Sequence, residues 1–203
     1  VPATDEPRQE LSVAQFRVDG LGVAGFERIE SESGHAGLRA FAATLATRPT
    51  AESGAGVDAR RALEVYEEVE AEVEAERYRR YREVLVETAR RVAKRLGWAL
   101  PESKAGFLPE SLPLWIPFPD TNAALERLFK AGYRLGTLSN VDDDLLEGTR
   151  RHFTVPFDPI VTAQQVGSYK TASGHFVTAR QRLGDGRWLH AAQSHFHAVT
   201  PAR

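Results

Sequence analysis

From residue 133 to residue 192 strand-like and helix-like segments alternate, and no other feature restricts the fold as much. Tyr133-Arg134-Leu135-Gly136-Thr137-Leu138 reads as a buried strand ending in Ser139-Asn140. Residues 142–152 read as a helix, 159–162 as a strand, 174–183 as a helix and 188–192 as a strand. Strands separated by single helices of this length pair in parallel, through right-handed crossovers. A shorter alternating run, Gln15-Phe16-Arg17-Val18-Asp19, supplies a further strand for the same sheet.

Upstream the pattern is helical. Residues 38–47 are helical in composition, and a Pro, Ser and Gly break follows over 48–57. Over 58–96, Ala62, Val65, Tyr66, Val69 and Val73 recur at intervals of three and four, as one buried helix face requires. That span is long for one globular helix, so a break near Arg77 and two antiparallel helices are expected. Its glutamates, Glu64, Glu67, Glu68, Glu70, Glu72, Glu74 and Glu76, read as a solvated face. Gly97 fits a helix stop, and five prolines between 101 and 119 mark a boundary. Pro119-Asp120-Thr121 then opens a helix to Lys130, with Asp120 or Thr121 as N-cap. The helical region is an insertion covering the sheet.

Composition narrows the chemistry. With no cysteine among 203 residues, disulfides, thiol nucleophiles and thiolate metal sites are excluded. A net charge of −2 gives no general attraction to nucleic acid or to an anionic membrane. No apolar run reaches the roughly 20 residues of a membrane helix. A cytoplasmic location is the expectation. The absence of methionine suggests a processed chain or a piece of a longer one.

Ligands of open parallel sheets bind beyond the carboxyl ends of the strands. Those ends carry Asp19, Ser139-Asn140, Lys170 and Gln193-Ser194. A carboxylate, a hydroxyl and an ammonium on one rim suit a nucleophile with anion-binding groups. A lysine near the aspartate would keep it ionised. His195 and His197 lack a third metal ligand, so no metal site is assigned. Trp98, Trp115 and Phe118 are candidates for an apolar pocket lining or for the core.

Several runs in order resemble the haloacid dehalogenase-like hydrolase superfamily, in particular the 2-haloacid dehalogenases. Leu135-Gly136-Thr137-Leu138-Ser139-Asn140-Val141-Asp142 is similar to the second motif, with Ser139 its hydroxyl residue. Gly167-Ser168-Tyr169-Lys170 with Gly174-His175-Phe176 is similar to the third, with Thr171 where proline is common. His190-Ala191-Ala192-Gln193-Ser194-His195-Phe196-His197 resembles the run into the fourth. Arg77-Tyr78-Arg79-Arg80-Tyr81-Arg82-Glu83-Val84-Leu85 looks like part of a helical cap, and Phe118-Pro119-Asp120-Thr121 like the return to the core.

The first motif, Asp19-Gly20-Leu21-Gly22-Val23-Ala24, matches at Asp19 and Gly22 alone. Phosphatases of this type protonate the leaving alkoxide with an acid two residues past the nucleophile, and Leu21 cannot do so. A halide leaves without a proton. In the fourth motif Ala198 stands where the family has an aspartate. That aspartate holds magnesium in the phosphatases and helps hydrolyse the ester intermediate in the dehalogenases. Asp142, Asp143 and Asp144 read equally well as acids in a first helical turn.

The resemblance implies an α/β fold, a Rossmann-like parallel-sheet core with an inserted α-helical cap. Residues 1–25 and 116–203 form the core, and 26–115 the cap. The family's core continues past the fourth motif, so this chain is expected to lack a C-terminal strand and helix. The implied activity is hydrolysis of a small anionic substrate through an aspartyl ester, with carbon–halogen cleavage favoured. Asp19 is the nucleophile, and Ser139 and Lys170 complete the catalytic set; Asn140, Ser194 and Arg39 bind substrate. No cofactor is required, since Leu21 and Ala198 disfavour magnesium, and a homodimer is expected. A catalytically impaired binding protein is the alternative, and a magnesium-dependent phosphatase the third reading.

Overall fold

The computed structural model describes residues 59–117, 120–170, 172–184 and 188–190. The expected strand over 15–19, the helix over 38–47, and the candidates Asp19, Arg39 and Ser194 lie outside them. So do Phe118, Thr171, His195, His197 and Ala198.

Helices α1 (Ala59–Glu74) and α2 (Tyr81–Leu96) pack against each other as a hairpin. The expected break therefore falls over residues 75–80. On α2 the residues Tyr81, Val84, Leu85, Thr88, Ala89, Val92 and Ala93 are buried, a stripe at the helical period. Gly97 ends α2 in the left-handed region at φ 69°, where a side chain would be strained. Across the solvent side of the hairpin, Arg95 meets Glu72 at 2.7 Å and Arg91 meets Glu76 at 2.8 Å. Such exposed pairs add little to stability, so the apolar stripe holds the hairpin together.

The proline-rich stretch folds into a 3-10 turn at Glu102–Lys104, helix α3 (Phe107–Ser111) and a second 3-10 turn at Leu112–Leu114. Trp98 is buried in the core and Trp115 packs against it, so the core reading holds for both. Helix α4 (Thr121–Lys130) begins after Asp120, whose side chain makes no capping bond. The expected cap is thus right in position and absent in chemistry.

Strands β1 (Thr137–Ser139) and β2 (Ile160–Thr162) pair in parallel, with Ser139 opposite Thr162. Helix α5 (Asp143–Arg150) connects them, as the alternation requires. The short helix α6 (Ala163–Val166) follows β2, and α7 (Gly174–Leu183) packs on both strands. The fold is therefore α/β. The expected strand over 133–138 begins four residues later, at Thr137, because Tyr133 and Arg134 are exposed and make no ladder. Trp188 to His190 is irregular rather than the expected strand.

The hairpin and the β/α segment share one core. Tyr66, Val69, Tyr81 and Val84 cluster with Val141, Leu145 and Leu146 from the end of β1 and from α5. Polar groups reinforce the junction. Asp142 accepts from the backbone N–H groups of Tyr81 and Arg82, both at 3.0 Å. An arginine at position 80 has no acceptor for the first turn of α2, and a carboxylate about sixty residues away supplies it.

Candidate active site

The carboxyl ends of the paired strands each carry a buried hydroxyl residue, Ser139 and Thr162. Thr162 is satisfied locally: its hydroxyl donates to Asp143 at 2.7 Å and accepts from the Gln165 N–H at 3.2 Å. Ser139 differs. Its hydroxyl has 0% exposure for the residue as a whole and no hydrogen-bond partner, so it does not cap the following helix. A buried, unsatisfied hydroxyl at a strand end is the kind of group that a ligand completes.

Lys170 comes to this point from the loop after α6. Asn140 fixes its backbone from both sides, accepting from the Lys170 N–H at 2.7 Å and donating to its carbonyl at 3.3 Å. The ammonium donates to the Leu138 carbonyl at 2.9 Å, one residue before Ser139. Burial lowers the affinity of Lys170 for its proton, to a pKa of about 8, and the negative charge of Glu74 works against that. An ammonium has three donors. One is taken by Leu138, which leaves this cation equipped to meet an anion.

His175, in the first turn of α7, is 0% exposed, and its Nε2 lies 3.0 Å from the Ser139 carbonyl. Burial drives its pKa down to about 4, against the help of that backbone bond. The ring is neutral at ordinary pH, so Nε2–H donates to the carbonyl and fixes the backbone that carries the Ser139 hydroxyl.

The hairpin reaches the same place. Tyr169 packs on Tyr78 and Tyr81, with ring centroids 5.5 and 6.3 Å away, and its hydroxyl donates to the Arg79 carbonyl at 2.9 Å. Glu70 and Glu74 of α1 point inward. Glu70 accepts from the Tyr66 hydroxyl at 2.5 Å and the Tyr81 hydroxyl at 2.6 Å. Burial raises its pKa to about 7, although the two phenols pull it down. Burial and the neighbouring Glu70 raise Glu74 to about 9, while Lys170 opposes the rise.

Three sequence candidates, Ser139, Asn140 and Lys170, are thus brought together. Asp19, Arg39 and Ser194 lie outside the described residues. The solvated-face reading of the glutamate run is corrected at Glu70 and Glu74. Apolar spacing alone could not reveal them, yet Tyr66, Glu70 and Glu74 form one row with the buried Val69 and Val73. Asp142 serves as a cap for α2, and Asp143 and Asp144 occupy the first turn of α5. Among the described residues no three His, Asp or Glu side chains gather as a metal site. Among them, too, no helix is long and apolar enough to cross a membrane.

No protein-family model matches the sequence, and no curated protein matches it by sequence. Solved structures do match. A defluorinating L-2-haloacid dehalogenase is similar at 21% identity and a TM-score of 0.62, over 72% of this chain and 62% of that one. A second L-2-haloacid dehalogenase is similar at 21% identity and a TM-score of 0.58, over 71% and 65%. The L-2-haloacid dehalogenase from Xanthobacter autotrophicus, with chloropropionic acid covalently bound, is similar at 18% identity and a TM-score of 0.59, over 71% and 60%. The chain thus spans less than two thirds of the length of each of these three enzymes. Over roughly 70% of its residues, the chain has the fold of the L-2-haloacid dehalogenases.

Proposed function

We propose that the chain is a haloacid dehalogenase-like hydrolase acting on a small anionic organic substrate through an aspartyl ester, with carbon–halogen cleavage favoured. The observation that carries this reading is the buried Lys170 ammonium at the end of β1, beside the unpartnered Ser139 hydroxyl. A cation and a hydroxyl at one strand end suit a substrate carboxylate. Asp19 would attack the carbon bearing the halogen, forming a C–O bond as the halide leaves with its electron pair. Water then hydrolyses the ester. The first step needs no acid, which fits Leu21. Asn140 holds Lys170 in place, and Ser194 and Arg39 complete substrate binding.

The hairpin of α1 and α2 belongs, in this reading, to a helical cap over 26–115 inserted in a Rossmann-like core of 1–25 and 116–203. The reaction requires no cofactor. The enzyme is cytoplasmic and pairs as a homodimer.

Incubation with 2-chloropropionate and with a phosphoester, following halide and phosphate release, tests the reading. Halide release that survives a chelator and is abolished by Asp19→Asn is the expected result. Undiminished release from Asp19→Asn would sink the nucleophile, and chelator-sensitive phosphate release would favour a phosphatase. Leu21, Val23 and Ala198 favour one second reading, a binding protein whose chemistry has eroded. Native protein inactive on the whole panel is its expected signature.

A further inference from the structure

Lys170 belongs to no helix or strand, so no ladder fixes its backbone. A lysine ammonium hangs on four carbons, and it keeps one place only if the chain beneath it is held. Three segments far apart in sequence meet there, and hydrogen bonds join each to the other two. Residues 138–142 hold the lysine itself: Asn140 bonds its backbone N–H and carbonyl, and the Leu138 carbonyl accepts from its ammonium. The same segment holds the start of α2, where Asp142 accepts from the N–H groups of Tyr81 and Arg82. The third side runs from the lysine loop to α2. The Tyr169 hydroxyl, 2.9 Å from the Arg79 carbonyl, closes it. Tyr78 and Tyr81 pack against the Tyr169 ring and fill the space around it.

We propose that Tyr169 is the positioning residue of Lys170, tying the lysine loop to the α1–α2 hairpin so that the hairpin sets where the buried ammonium stands. The inference rests on the hydrolase reading and adds a residue to it. In this role Tyr169 binds no substrate and moves no proton; it acts through its neighbour in the chain. The hydrogen bond to Arg79 is directional, whereas the aromatic contacts beside it let the ring slide. Losing the hydroxyl therefore frees the loop without emptying the space that the ring fills. The ammonium then loses its fixed place at the carboxyl end of β1, beside Leu138. A substrate carboxylate would meet a cation spread over several positions instead of one held ready for it. If Tyr169 only filled the space between hairpin and loop, phenylalanine would serve as well.

Tyr169→Phe in the full chain separates the two roles, and hydrogen exchange followed by NMR is a readout that needs no turnover. The Lys170 amide is protected by its bond to Asn140. Its exchange should quicken by roughly 2–10-fold beyond any change at the Val84 and Leu85 amides inside α2. An unchanged Lys170 rate would overturn the proposal. So would an equal rise at Val84 and Leu85, which would mark a general loss of stability. With 2-chloropropionate, KM should rise by a similar factor while kcat stays near the native value. A native KM in Tyr169→Phe, or a loss confined to kcat, would also overturn it. Native protein that releases no halide would count against the hydrolase reading instead, and the exchange rates would still judge the tie between Tyr169 and Lys170.

Discussion

Asn140 contributes by geometry more than by chemistry. It pairs with both backbone groups of a buried lysine, and an alanine there would leave both without partners. A buried unsatisfied group costs about 1–3 kcal/mol. Asn140→Ala should therefore lower the unfolding free energy in urea by roughly 2 kcal/mol; a loss below about 0.5 kcal/mol would contradict the clamp. Ser139→Ala should behave in the opposite way. Its hydroxyl has no partner to lose, so stability should stay level or rise while KM for the substrate rises. A marked loss of stability with unchanged KM would assign the hydroxyl to the fold. Ser139, Asn140 and Lys170 were readable in the sequence because each falls in a local motif. His175 also falls in such a run, but its role, like those of Glu70 and Glu74, was not readable, because it comes from what lies across the fold. A row of glutamates looks solvated until Tyr81 of the neighbouring helix is placed against it.

Helix α2 depends on a carboxylate from another element. Asp142→Ala should remove the acceptor for its first two N–H groups and speed hydrogen exchange at Tyr81 and Arg82. The cost should be roughly 1–2 kcal/mol, and unchanged exchange at those amides would refute the assignment. No spacing rule joins positions 81 and 142, so the sequence showed the helix and concealed its cap. Strand length was hidden for a related reason. Thr137-Leu138-Ser139 pairs with Ile160-Val161-Thr162, whereas at Gly136 a Cβ would stand 2.9 Å from the Pro159 carbonyl oxygen. Gly136→Val should force these backbones apart and destabilise the sheet. The alternation of elements came through because it depends on local periodicity; the point where pairing begins depends on a partner strand.

At the level of the whole molecule, the hairpin and the β/α segment share apolar core and buried charge. Glu70 and Glu74 hold protons in the folded chain to about pH 7 and about pH 9, against an ordinary carboxylate value of 4.5. Between those limits the folded state binds more protons than the unfolded one, so stability falls as pH rises. Lys170, lowered to about 8 from 10.5, acts in the other direction above its folded value, where stability rises with pH. The melting temperature should therefore decline from about pH 5 to pH 8, and Glu74→Gln should flatten that decline. A melting temperature that climbs over the same range would contradict the buried carboxyl pair. The most direct test of the hydrolase itself is a single turnover of 2-chloropropionate in heavy-oxygen water, followed by peptide mass analysis. Heavy oxygen incorporated at Asp19, and absent from the first product molecule, is the predicted result. Heavy oxygen in that first product, with none at Asp19, would contradict the covalent route.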